Sequence, residues 1–184
     1  MPQTIEQAAV GSISKPQALL RSHIARGATF QSWTGSADAT EAETHVYTGA
    51  IDPPAEGRAE YELDEWLDMR PFCLVMPSDQ VTLTVTHDGG VDSTGFGFEH
   101  SGALVAMFED NVPDELRNRP GEVEQRFQNM VGQVLDDMLA TAGQAGYLSI
   151  IAVRGFGPMR CADEEIAAEG DSIRFWLEID WGVI

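Results

Sequence analysis

The sequence predicts an α+β fold, a mostly antiparallel sheet packed by one long helix and by a helix near the N-terminus. Three observations carry this. After Pro120 the apolar residues Val123, Phe127, Met130, Val131, Val134, Leu135, Met138 and Leu139 recur at helical spacing, the strongest periodicity in the chain. Ile173, Phe175, Leu177, Ile179 and Trp181 alternate with Arg174, Glu178 and Asp180, with Trp176 on the polar side, as in a half-buried strand. The run Gly102 to Glu109 is apolar on both faces, which suits a central strand covered by a helix.

The elements follow in order. Residues 1–13 read as a polar arm, and residues 14–184 as a single domain. Ser14-Lys15-Pro16-Gln17 opens a helix, with Ser14 as N-cap and Gln17 as its partner three residues on. Ala18, Leu19, His23 and Ile24 give that helix an apolar side, and Gly27 ends it. Phe30 and Trp33 form a short turn that pins two aromatics against it. His45 to Thr48 reads as a strand, and a loop-rich acidic insertion is expected at about 51–69.

Arg70 to Pro77 reads as a short buried strand bracketed by prolines, and Val81 to Thr86 as a separate, half-buried one. His87-Asp88-Gly89-Gly90 is a turn, and Phe96, Phe98 and the run to Glu109 continue an antiparallel meander. Asn118 is the expected cap of the long helix, with Pro120 in its first turn. Gly132 on that helix suggests a close backbone approach, and Gly143 and Gly146 close it. Tyr147 to Val153 and Ile173 to Trp181 are the last strands, and the glycines of Gly155-Phe156-Gly157 suggest a bend or bulge.

Composition sets the outer bounds. The chain has 184 residues, 30 acids against 11 Lys and Arg, and a formal charge of -19. Lys15 is its only lysine. Such a chain repels phosphate backbones, so a nucleic-acid binder that grips the backbone is disfavoured. Residues 38–68 alone hold ten acids and one base, Arg58. Cys73 and Cys161 have no neighbouring Cys or His at metal-ligand spacing, and Cys73 reads as buried filler. No signal peptide and no membrane span is expected.

Candidate chemistry is sparse. His87 with Asp88, and Glu99 with His100, fit no compact zinc or calcium loop. Asp136 and Asp137 point about 100 degrees apart on a helix and read as a solvated face. The Gly-rich fragments lack a Walker lysine and dinucleotide-binding spacing. No nucleophile–base pair stands out. Expected are no catalytic residues, no metal site and no cofactor.

A set of short motifs carries a resemblance. They are Phe30 with Trp33, Arg70-Pro71-Phe72, Gly102 to Glu109 ending in Phe108-Glu109-Asp110, Phe127 with Asn129, Val131 and Gly132, Gly146-Tyr147-Leu148, and Trp181-Gly182. In this order they resemble the tail terminator (tail completion) proteins of long-tailed bacteriophages, the gpU-like group. The order of elements covers most of the chain from Ser14, apart from residues 51–69.

The resemblance implies helices on a mostly antiparallel sheet and a structural role. It implies a homo-oligomeric ring, commonly a hexamer, that caps the tail tube, meets the head-closure or neck proteins, and lets DNA through its channel without specific binding. It places the protein in the virion, assembled in the host cytoplasm. Channel-facing acids are then expected among Glu62, Asp64, Glu65, Asp163, Glu164 and Glu165. Expected contacts between subunits or neighbours are the arm 1–13, the 51–69 insertion with Tyr61 and Trp66, and the stretch Phe156–Ile166 with Phe156, Met159 and Arg160. Another head-closure or neck connector, or an acidic inhibitor that mimics DNA, are the competing readings.

Overall fold

The computed structural model describes residues 15–48, 69–87, 96–144, 146–158 and 172–182, with side chains left aside for 79–87, 96–101 and 182. Within them the fold is α+β, as the periodicities predict. Three helices come first: α1 (Lys15–Arg26), α2 (Ala28–Thr34) and α3 (Ala39–Glu43). The strands are β1 (Val46–Thr48), β2 (Phe72–His87), β3 (Phe96–Asn111), β4 (Ile150–Pro158) and β5 (Ser172–Gly182). A 3-10 turn, Asp114–Leu116, and the long helix α4 (Pro120–Thr141) lie between β3 and β4.

The five strands form one sheet in the order β1-β2-β3-β5-β4. β1 runs parallel to β2; the other neighbours are antiparallel. Leu104, Ala106 and Phe108 of β3 stand beside Ile179, Leu177 and Phe175 of β5, and all are buried on the face that the helices cover. From above, α4 supplies Val123, Phe127, Val131, Val134 and Met138, and α1 supplies Leu20 and Ile24. Burying each large side chain contributes roughly 1.5–3 kcal/mol before the entropy of ordering is counted. The opposite face of the sheet is also apolar. It carries Tyr47, Phe72, Leu74, Met76, Val105, Met107 and Trp176, mostly half-buried.

Several local expectations are corrected. Residues 70–77 and 81–86 are not two strands. They are one, β2, with a register irregularity between Pro77 and Val81, where the ring-blocked nitrogen cannot hold the ladder. α3 was not expected inside the acidic region. Asp38 caps it by accepting from the N–H groups of Thr40 (2.8 Å) and Glu41 (2.9 Å), and Glu41 returns a bond from the Ala37 N–H (2.7 Å). The inner side of α1 is made by Leu20, His23, Ile24 and Ala25, with Ala18 and Leu19 only half-buried.

In α4, Arg119 rather than Asn118 sits at the cap, without a side-chain bond. Leu139 is 48% exposed, because it lies one residue, about 100 degrees, round the helix from the buried Met138. A Cβ on Gly132 would meet nothing within 4 Å, so no close approach occurs there. The close approach is at Gly27, where a Cβ would lie 3.2 Å from the Ile24 carbonyl oxygen and 3.4 Å from the Asp137 Cβ. β4 begins at Ile150 and not at Tyr147; the chain first turns through Gly143 and Gly146, both at positive φ.

Candidate functional site

The motif residues converge. At the Asn111 end of β3, the Glu109 carboxylate is 2% exposed and lies between two guanidinium groups. Arg70 donates to Oε1 from Nε (2.9 Å) and from Nη2 (2.5 Å), and Arg174 donates from Nε to Oε2 (2.7 Å). Register places them: Phe72 of β2 and Arg174 of β5 both stand beside Glu109. Arg70 also donates from Nη1 to Asn111 Oδ1 (3.0 Å). The Arg70–Pro71 bond is cis, and the Pro71 carbonyl accepts from His45 Nδ1 at 3.0 Å.

One residue on, the side chain changes face. Asp110 points to the helix side and accepts from Trp33 Nε1 at 2.8 Å. Burial pushes its carboxyl above the usual range, while Trp33, the Asn111 N–H and Arg70 pull it back. Trp33 belongs to an aromatic group. Its ring lies 5.5 Å from Phe30, 6.0 Å from Phe108 and 5.8 Å from Phe127, tying α2 to β3 and α4. The expected contact of these aromatics with α1 is therefore only part of their role.

Asp137 is not a solvated acid as expected. Its Oδ2 accepts from the Thr29 N–H at 2.8 Å, satisfying an amide of the first turn of α2, while Asp136 is exposed. His23 is buried between α1 and α4, with Nε2 2.8 Å from the Thr141 hydroxyl and its ring edge-on to Tyr147 at 4.8 Å. Cys73 is buried as expected, and burial pushes its thiol well above the ordinary range.

No family model matches the chain, and no curated protein sequence matches it.

The opposite end of the sheet is built differently. β4 is an edge strand, and Ile151 (64%) and Phe156 (63%) are exposed on it. Gly155 borders an irregularity in the register with β5, as expected, and for a steric reason, whereas Gly157 lies in regular register. A Cβ on Gly155 would lie 2.6 Å from the Trp176 ring. Arg154 donates from Nε to Asp180 Oδ2 at 2.5 Å.

Of the expected site residues, Phe156 alone is described, and it is exposed. Met159, Arg160, Tyr61, Trp66, Glu62, Asp64, Glu65, Asp163, Glu164 and Glu165 lie outside the described residues, as do the arm and residues 49–68. Among the described residues no His, Cys, Asp and Glu group could hold a metal ion, and no helix is long and apolar enough to cross a membrane. Sequence reasoning missed Glu109 as an ion-pair centre. Its signal was an acid ending an apolar strand, in a chain whose few arginines include one just before a strand and one inside another.

Proposed function

We propose that this chain is a structural subunit of the head–tail junction of a long-tailed bacteriophage, a tail terminator. Copies close into a ring, commonly a hexamer, at the end of the tail tube. The ring meets the head-closure or neck protein and lets DNA pass without specific binding. The observation that carries this reading is the meeting of its motif residues. Trp33, Arg70-Pro71-Phe72 and Phe108-Glu109-Asp110, far apart in sequence, meet at one end of β3, where Arg70 fastens β2 to Glu109 on one face of the sheet and Trp33 fastens α2 to Asp110 on the other. Such cross-links stiffen the unit, as the repeated block of a ring requires. Antibodies against the chain should label the head–tail junction of the virion. Label elsewhere, or none, overturns the reading, and tight binding of the free chain to a host nuclease favours the DNA mimic instead.

Within this reading the channel carries carboxylates, Glu62, Asp64, Glu65, Asp163, Glu164 and Glu165 among them, because a basic lining would hold the passing duplex. Lysine at several of these positions should slow DNA ejection. Unchanged ejection kinetics refutes that assignment.

A further inference from the structure

The described residues expose three large hydrophobic side chains, and two of them, Ile151 and Phe156, lie on β4. β4 also stands at one edge of the sheet, with β5 on one side and no described strand on the other. An open edge with apolar side chains is a template for pairing, and single-chain proteins usually blunt such an edge with charge. β4 has no acid and one base. Residues 138–162 contain no acid at all, in a chain of net charge -19. Between two copies of such a chain, contact is least opposed by repulsion where the acids are missing.

Arg154 adds direction. It is 55% exposed and uses Nε on Asp180, while its terminal nitrogens have no acceptor among the described residues. A guanidinium so placed can take a second carboxylate from outside. The other edge of the same sheet offers one. β1 is preceded by α3, whose Glu41 is exposed and whose Glu43 approaches Arg21 only at 4.0 Å. In β1 the register with β2 turns the backbone N–H and C=O groups of Val46 and Thr48 away from β2, since the Cys73 N–H bonds back to the His45 carbonyl; the Val46 side chain itself is buried and Thr48 is exposed.

We infer that the β4 edge of one copy docks on the α3–β1 edge of the next, with Ile151 and Phe156 as apolar anchors and Arg154 reaching the Glu41 and Glu43 carboxylates. The contact is short, because the irregularities at Ile150/Ala152 and Val153/Gly155 bend β4 and interrupt a long ladder. The two edges are different surfaces, so the contact is heterologous and repeats until rotation closes it. The inference rests on the ring reading and names its interface.

The test uses two full-length variants, each blocked at one edge. Ile151→Ser with Phe156→Ser removes the anchors. Thr48→Pro removes an outward N–H of β1 without touching its bonds to β2. Sedimentation of the wild-type chain should show species larger than a dimer, and each variant alone should remain near 20.0 kDa. Mixed, the two variants should form a one-to-one pair and nothing larger, because each keeps the edge that the other lacks. Leu139→Ser, an equally apolar exposed site off β4, should assemble like wild type. Circular dichroism checks that every variant is folded. A wild-type chain that sediments only at 20.0 kDa overturns the inference, as does a closed ring from the β4 variant alone. In the second case junction labelling still supports the ring reading while this interface fails. A wild-type dimer that does not grow means that β4 pairs with itself, and also overturns it.

Discussion

The polar face of β5 holds two ion pairs that are built in opposite ways. At one end, Glu109 receives Arg70 and Arg174, both of its oxygens are bonded, and it is nearly sealed from water. At the other, Asp180 receives Arg154 at one oxygen, its buried Oδ1 has no partner among the described residues, and the arginine lies largely in solvent. The contrast separates a joint from a surface. A carboxylate taken out of water needs its full set of donors, or the desolvation is not repaid. The sheet is locked where Glu109 sits, and it keeps spare bonding capacity beside the exposed edge.

The largest effect should come from the locked end. Glu109→Ala strands Arg70, whose side chain is buried, and should lower unfolding stability by about 3–5 kcal/mol in denaturant titration. A loss below about 1 kcal/mol means that the pair is not sealed as described. Next is Gly155→Ala. Its Cβ would enter the Trp176 ring, so β4 or the indole must move, at roughly 1–3 kcal/mol. A neutral result would show that the β4 edge is looser than the register implies.

The two ends also differ in how far the sequence reveals them. The alternation of β5 and the stripe of α4 were plain, since apolar periodicity reports which face meets the core. The Glu109 joint was not. Strand register decides that Arg174 and Phe72 stand beside Glu109, and register depends on pairing across 65 residues rather than on any local pattern. The α3 helix was missed although Asp38 and Glu41 have the spacing of a capping box, because acids and prolines around them read as loop. β4 started later than expected because Tyr147 and Leu148 look strand-like but serve the core from a turn. Tyr147 packs on His23 and under the Arg26 guanidinium, and Leu148 is buried. The sequence marks Phe156 as a candidate contact residue; that it is exposed, on an edge strand, is visible only once β4 is placed in the sheet.

His23 tests whether the helix layer is as tightly joined as the Glu109 end. Burial lowers its pKa from the ordinary histidine value of 6.5; the Met138 carbonyl opposes this, and the Arg26 charge adds to it. The unfolded chain therefore binds the proton more readily than the folded one. The stability that neutral His23 supports should be complete above about pH 6.5 and fall away as pH drops through the lower, folded-state value. His23→Gln should flatten this part of the wild-type profile, measured as the difference between the two chains so that the acids cancel. A difference that does not change between pH 7 and the acid limb would mean that the ring is solvated and the α1–α4 contact open.

The smallest effect should come from the open end. Arg154 is more than half in solvent, so its attraction to Asp180 is screened and its side-chain ordering offsets part of the gain. Arg154→Ala should cost less than about 1 kcal/mol in the isolated chain. The same change should weaken association far more than folding, because in the assembled state the guanidinium would serve two carboxylates away from water. Glu109→Gln should show the reverse: a clear loss of folding stability, with association following only the folded fraction. If Arg154→Ala instead unfolds the chain as readily as Glu109→Ala, the two ends are equivalent joints, and the β4 edge loses its claim to be a surface held ready for a neighbour.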